Sequence, residues 1–380
     1  MRTAVTDLLG IDVPILAFSH CRDVVAEVTR AGGMGVLGAV AHTPEQLEID
    51  LAWIEEQVGD LPYGVDLIIP AKYAGDDQGG FTLEDIAALI PAEHRAFVDD
   101  ILARYDVPPL PDDEGPGRAG WQTSGGAAPF SANRAGPQLE IALAHRTALV
   151  ANALGPPPAE MIEQVKGAGK VVAALAGRGV HAERHVAAGV DLIVAQGAEA
   201  GGHPGEIGSM VLIPEDVDAV APVPVLGAGG IGRGRQMAAA MALGAQGVWC
   251  GSVWLTTAEA ETHPVVKAKM LAATSADTLR SRSLTGKPAR MLRSSWTDEW
   301  DRPDTPDPLG MPLQPILTAQ AQYRINRAAE RHPGAEKLAN YFVGQVVGTM
   351  NVSKTSRQVV FDMVDEFIEA VEALAAQLED

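Results

Sequence analysis

The feature that most constrains this chain is a rhythm. Short runs of Val, Ile, Leu and Ala alternate with helix-patterned stretches, and the alternation repeats eight times. The apolar runs fall at residues 13–18, 34–37, 63–69, 148–154, 171–175, 191–195, 223–226 and 247–250. They are apolar at consecutive positions, the pattern of parallel strands covered on both faces. Helical stretches fall at 23–31, 44–58, 82–105 with a break at Pro91, 139–145, 158–168, 180–188, 214–220 and 232–243. Thr43 is a suitable N-cap for the second of these. Eight strands with following helices is the count of a (β/α)8 TIM barrel, an α/β fold. An open doubly wound sheet competes with it. Such a sheet usually has fewer strands and carries its phosphate loop after the first strand rather than the seventh.

Two segments break the rhythm. Residues 106–137 show no periodicity and are dense in Pro and Gly, so they read as a lid insertion, functional or disordered. Beyond residue 260, a Pro-rich stretch at 296–317 reads as coil. The last segment repeats Val360, Val364, Phe367, Ile368, Val371 and Leu374 at helical spacing. That helix should pack on the barrel or on a second subunit, which would make a homodimer. The expected division is a barrel at 1–260 and a helical C-terminal extension at 261–380 whose last helix packs back.

Composition limits the partners. Glycine supplies 40 of 380 residues, above the roughly 7% average, and implies many tight turns. It has no three-residue period, and the 47% hydrophobic content is too high for disorder. With 29 Lys and Arg against 49 Asp and Glu, the net charge of −20 repels phosphate backbones and argues against nucleic acid. No apolar run approaches the ~20 residues that span a bilayer, and no leader-like core opens the chain. Cys21 and Cys250 cannot build a disulfide framework or a Cys-rich metal site. A cytoplasmic protein acting on a small molecule, without membrane or metal, is expected.

In such a barrel the chemistry gathers at the C-terminal ends of the strands. Gly227-Ala228-Gly229-Gly230-Ile231 follows the seventh strand and Trp249-Cys250-Gly251-Ser252 ends the eighth. Backbone N–H groups there, with the N-terminus of the next helix, would cradle a phosphate. After the sixth strand comes Gln196-Gly197-Ala198-Glu199-Ala200-Gly201-Gly202-His203-Pro204-Gly205, a His in a glycine setting that admits a flat ligand. His203 can take or give a proton near neutrality. His20 and Cys21 close the first strand on the same face. Asp66 in the third strand would hydrogen-bond a cofactor, pair with Lys72, or form an outward salt bridge. His181 and His185 read as surface residues.

These loops resemble the nitronate monooxygenase family, also called 2-nitropropane dioxygenase-like. The likeness runs through Ala31-Gly32-Gly33-Met34-Gly35, the His203 and Gly229 loops, Gly286-Lys287-Pro288-Ala289-Arg290 and Gly344-Gln345-Val346-Val347-Gly348. The resemblance implies FMN in a TIM barrel. It implies His203 as the catalytic base or orienter, and Gln196, Gly201 and Gly202 as flavin contacts. Gly229, Gly230, Cys250, Gly251 and Ser252 would lie around the phosphate, with Ala17, Phe18, Ser19 and Asp66 at the cofactor and His20 and Lys72 toward substrate. The chain departs from the family at Ala17-Phe18-Ser19, where Ala-Pro-Met is common, and at Asp66, where Asn is usual. An Asn can donate to a flavin oxygen, whereas an ionised Asp only accepts. Three functions follow as expectations. The first is oxidation of alkyl nitronates with O2. The second is NAD(P)H-dependent reduction of an enoyl- or other acyl-thioester. The third is a flavin-free phosphate-binding barrel.

Overall fold

A computed structural model describes residues 1–69, 83–110, 132–153 and 155–378. Eight parallel strands close into a barrel in chain order: β1 (Ile15–Ser19), β2 (Met34–Gly38), β3 (Gly64–Leu67), β4 (Leu149–Asn152), β5 (Val171–Ala176), β6 (Leu192–Gln196), β7 (Val225–Ala228) and β8 (Val248–Cys250). β8 returns to β1 through the pairing of Ile15 with Val248. The expected TIM barrel is the fold. Side chains alternate across each strand. Leu16, Val36, Leu149, Ala151, Leu192, Val194, Leu226, Ala228 and Trp249 fill the interior. Their neighbours Ala17, Leu37, Val65, Val150, Ile193 and Cys250 face the helical layer.

Local chemistry sets the helix ends. Thr43 Oγ1 accepts the Gln46 N–H at 3.1 Å, and Pro44 opens the helix Pro44–Val58. Pro91 separates the helices Leu83–Ala88 and Ala92–Arg104. A short helix, Ala4–Leu9, was not foreseen. Its signals were a Thr3/Thr6 capping pair and a left-handed Gly10, and it adds Val5 and Leu9 to the barrel interior. The helices Ala132–Ala144 and Ser209–Val220 start earlier than expected and run through Pro137 and Pro214. A proline removes one N–H from a helix. In the second helix the burial of Leu212 and Ile213 around that point outweighs the loss. Most of the expected 106–137 insertion, like Lys72, lies outside the described residues.

A second core does not follow chain order. It joins Val98, Ile101 and Leu102 to Trp296, Trp300, Leu317, Ile325, Val343 and Met350. Glu299 ties the two parts together, accepting from Arg104 Nη1 at 2.7 Å and from the Tyr105 hydroxyl at 3.1 Å. The reading of 296–317 as coil is corrected at both ends. The helix Ser295–Trp300 buries both tryptophans, and Leu313–Ala328 begins inside the stretch. Two further strands, β9 (Thr278–Ser281) and β10 (Ala289–Leu292), pair antiparallel in this region.

The C-terminal helix Ser356–Ala376 packs back on the barrel helices Gly234–Ala242 and Arg22–Arg30. Only its first half delivers the expected apolar face. Val359, Val360 and Met363 are buried, while Ile368, Val371 and Leu374 are exposed. His181 is exposed, but the reading of His185 as a surface residue is corrected. His185 is buried, with Nε2 3.1 Å from the Leu175 carbonyl oxygen.

One outer-layer residue carries a stability prediction. Asp216 is fully buried and both carboxyl oxygens lack partners among the described residues. Burial, aided by Glu215, pushes its pKa up to about 7. A raised carboxyl pKa gives stability that is present below about pH 4 and lost as pH rises through about 7. Asp216→Leu should therefore leave the unfolding midpoint nearly unchanged near pH 4. It should stabilise the protein by roughly 1–3 kcal/mol at pH 8, measured by denaturant titration.

Candidate active site

Alternation along the strands decides which side chains reach the C-terminal mouth of the barrel. Gly38, Asp66 and Ala151 are register partners on β2, β3 and β4, and Ala151 is inward. Asp66 therefore points into the barrel, which corrects the alternative of an outward salt bridge. On the far side, Gln196 of β6 pairs with inward Ala228 of β7. Phe18 enters from β1 and stacks on Trp249, ring centroids 6.2 Å apart. Ala151 and Ala228 present only small side chains between these groups, and the His20 and Phe18 rings fill the space a Cβ at Gly38 would take. The two polar side chains have no protein partners among the described residues. Asp66 is 5% exposed with Oδ1 unpaired, and the Gln196 amide makes no hydrogen bond among the described residues. Burial alone pushes the Asp66 pKa up to about 8.

The loop after β6 carries His203, and the β9–β10 hairpin holds it. Gly202 and Arg290 exchange backbone hydrogen bonds, at 3.0 Å from the Gly202 N–H and 2.6 Å from the Arg290 N–H. The Arg290 guanidinium donates to the Ala198 carbonyl. His203 Nε2 lies 2.7 Å from Thr285 Oγ1, whose own proton goes to the Lys287 carbonyl at 3.1 Å. The hydroxyl has one proton to give, so it accepts from Nε2–H. Nδ1 is then the basic atom of the ring. Burial and the Lys287 charge hold the His203 pKa below the ordinary imidazole value, so the ring is neutral near pH 7. His203 and His20 both keep accessible surface while burial lowers their pKa values, the combination found in side chains that line a concavity. His20 is anchored by Nδ1, 2.7 Å from the Gly38 carbonyl oxygen.

The glycine loops divide between ligand space and packing. Gly229 and Gly230 follow β7 at φ +91° and +72°. The N–H groups of Gly229, Gly230 and Ile231 have no acceptor among the described residues. The N-terminus of the next helix is not available as part of the cradle, which corrects the expectation. Gly232 and Arg233 donate to Gln236 Oε1, and Gly234 donates to Glu366 at 3.0 Å. Gly201 is glycine for a packing reason, because a Cβ there would meet the Gly344 nitrogen at 2.8 Å. Gly202, at φ +76°, faces open space. Ser252 Oγ accepts from the Gly344 N–H at 2.8 Å, binding the closing segment to the loop after β8. Gly251 packs on Phe18.

Some residues expected at the cofactor turn their side chains away from the mouth. The Ala17 and Cys250 side chains face the helices, and burial pushes the Cys250 thiol up to about 12. The Cys250 carbonyl is taken by Trp254 Nε1 at 2.7 Å. Ser19 Oγ accepts from the Cys21 N–H at 3.1 Å. Thr285 was missed in the sequence. It directly precedes Gly286-Lys287-Pro288-Ala289-Arg290, a segment that already stood out. Cys21, Asp23 and Glu261 bring potential metal-ligand atoms within 4.8 Å of one another.

The nitronate monooxygenase family model matches residues 2–366. The chain belongs to the nitronate monooxygenase family. It is thus a nitronate monooxygenase-like enzyme, a flavin-dependent oxidoreductase acting on a small molecule, and the flavin-free barrel is set aside. A Mycobacterium tuberculosis protein named as a monooxygenase is 61% identical over 98% of each chain. A nitronate monooxygenase by name from Staphylococcus saprophyticus is 29% identical over 84% of this chain and 86% of its own. Among solved structures, nitroalkane oxidase from Streptomyces ansochromogenes superposes with TM-score 0.78 at 26% identity, covering 98% and 100% of the two chains. FabK of Thermotoga maritima superposes with TM-score 0.71 at 26% identity, covering 99% of each. No helix among the described residues is long and apolar enough to cross a membrane.

Proposed function

We propose that this family member binds FMN in the barrel mouth and oxidises alkyl nitronates with O2. The observation that carries the reading is the pair Asp66 and Gln196, two inward polar groups without partners among the described residues, in the same mouth as the tethered His203. A mouth floored by Phe18 and Trp249 and lined by the small side chains of Ala151 and Ala228 suits a flat aromatic ring. Gln196 and Asp66 would meet its polar edge. The N–H groups of Gly229, Gly230 and Ile231, with Gly251 and the Ser252 hydroxyl, would hold the phosphate. Gly202 and the backbone of Ala17, Phe18 and Ser19 complete the wall. FMN, when bound, supplies the electron acceptor between the nitronate and O2. His203 supplies acid–base chemistry. Its Nδ1 takes the α-proton of a nitroalkane to give the nitronate, and the resulting imidazolium holds that anion.

Oxygen uptake by the FMN-loaded protein with propionate-3-nitronate or a nitroalkane tests the reading. Absence of uptake with both would reject it. A second expected result concerns Thr285 as the positioning residue for His203. Thr285→Val should lower kcat/KM by about 10- to 100-fold, the scale on which outer partners of a working His act. FMN content should be retained and the acid limb of the pH profile displaced, with Thr285→Ser restoring both.

One observation favours a second reading, NAD(P)H-dependent reduction of an acyl-thioester. In a chain of net charge −20, the β9–β10 hairpin brings three cations to the His203 loop: Lys287 acts on His203 itself, Arg290 bridges to Gly202, and Arg280 reaches the Pro204 carbonyl. Such a rim suits the phosphates of a CoA ester or of NAD(P)H. Rapid anaerobic bleaching of the flavin by NADH or NADPH would favour it.

A further inference from the structure

Asp66 presents a problem that the rest of the mouth does not. It is the only ionisable side chain among the described inward strand positions. Among the described residues its Oδ1 has no partner and no cation contributes to its ionisation. The neighbouring elements bring little that could stabilise a negative charge. Loops after β1 and β2 bring His20 and His42. Burial lowers the His20 pKa, and His42 lowers it further, so His20 is neutral. The His42 Nε2 is turned to Asp50 at 3.0 Å, and Asp50 also pairs with Arg22. β2 itself presents Gly38. β4 presents Ala151 and Asn152, and the Asn152 Oδ1 is occupied by the Ile69 N–H at 2.9 Å. Lys72 follows β3 outside the described residues. A carboxylate here would be costly. A neutral acid would not, and it offers what a carboxylate lacks, an O–H donor beside an acceptor.

We propose that Asp66 serves the mouth as a neutral carboxylic acid that donates a hydrogen bond to the bound flavin, so that flavin affinity falls as the medium is made alkaline. This rests on the cofactor reading above. The polar edge of a flavin ring sets an N–H between carbonyl oxygens. A neutral carboxyl complements such an edge as an amide does, and a carboxylate cannot. The family's usual Asn and this chain's Asp66 then do the same work, the acid only while protonated.

FMN titration of apoprotein by fluorescence quenching, from pH 6 to about 9.5, tests this with wild type and Asp66→Asn. Wild-type affinity should be level up to about pH 8 and then fall by as much as tenfold per unit. Asp66→Asn should bind with similar affinity below that point and stay level above it. Thermal midpoints of the two apoproteins provide a readout without cofactor. The acid has a raised pKa, so its stability contribution is lost as pH rises from about 4 through about 8, and wild type should decline relative to Asp66→Asn across that window. If wild type binds FMN with no pH dependence and its midpoint tracks that of Asp66→Asn, the proposal is overturned and the cofactor reading survives. An Asp66→Asn protein that is folded but has lost FMN at every pH overturns it too, because the amide preserves the donor. If neither protein binds FMN at any pH, the cofactor reading itself fails and the donor role falls with it.

Discussion

Replacing His203 with Asn should lower kcat/KM for a nitroalkane by 10²–10⁴-fold in protein that still carries its flavin. Asn keeps a polar group of similar size but has no basic nitrogen. Its amide can still reach Thr285, so the loop should remain in place. The pH profile sharpens the test. Burial and Lys287 hold the imidazole pKa below its ordinary value, so the wild-type rate should be level at neutrality and fall only on the acid side. The Asn variant should lose that acid limb. Steady-state oxygen uptake across pH, normalised to flavin absorbance, measures both effects. A variant with an unchanged rate would move the base to another group. His20 is the next imidazole in the mouth, but its Nδ1 already lies against the Gly38 carbonyl.

Gly234→Ala should be a strongly damaging conservative change outside the mouth, costing about 1–3 kcal/mol or more by overpacking. An added Cβ would lie 2.1 Å from the Met363 carbonyl oxygen and 2.4 Å from the Phe367 nitrogen, both backbone atoms of the C-terminal helix. No rotamer relieves such a contact, so one helix must move. The junction also loses its electrostatics. Glu366 accepts from Arg233 Nε at 2.7 and 2.9 Å and caps the Gly234 N–H, a carboxylate placed at a helix N-terminus. Denaturant unfolding should show the loss. Limited proteolysis should show the helix Ser356–Ala376 released before the barrel. A variant as stable as wild type, with that helix still protected, would mean that the packing at Gly234 adapts.

The barrel was legible because parallel strands buried on two faces must be apolar at successive positions, and eight such runs leave few architectures. The mouth was legible in part, because glycine runs and a glycine-flanked His are costly to keep without a close approach. Residues from distant parts of the chain were not legible. Thr285 fixes the tautomer of His203 from 82 positions away, and no local pattern marks a hydroxyl for that task. The expected cradle also took in the N-terminus of the helix beyond, and that end is occupied by a partner, Glu366, lying 132 positions from Gly234. The sequence also could not show that Gly201 lies against Gly344, which leaves no space for a Cβ.

By itself the sequence determined the eight barrel strands and the core of most helices between them, that those strands are buried on both sides, and where the polar and glycine-rich loops gather. Those are consequences of local periodicity and backbone freedom, which neighbours in the chain decide. Only the tertiary structure decided which way Asp66 and Gln196 face, which nitrogen of His203 is basic, and which N–H groups remain open. Strand register and long-range hydrogen bonds settle these, and both depend on residues that meet only after the barrel closes.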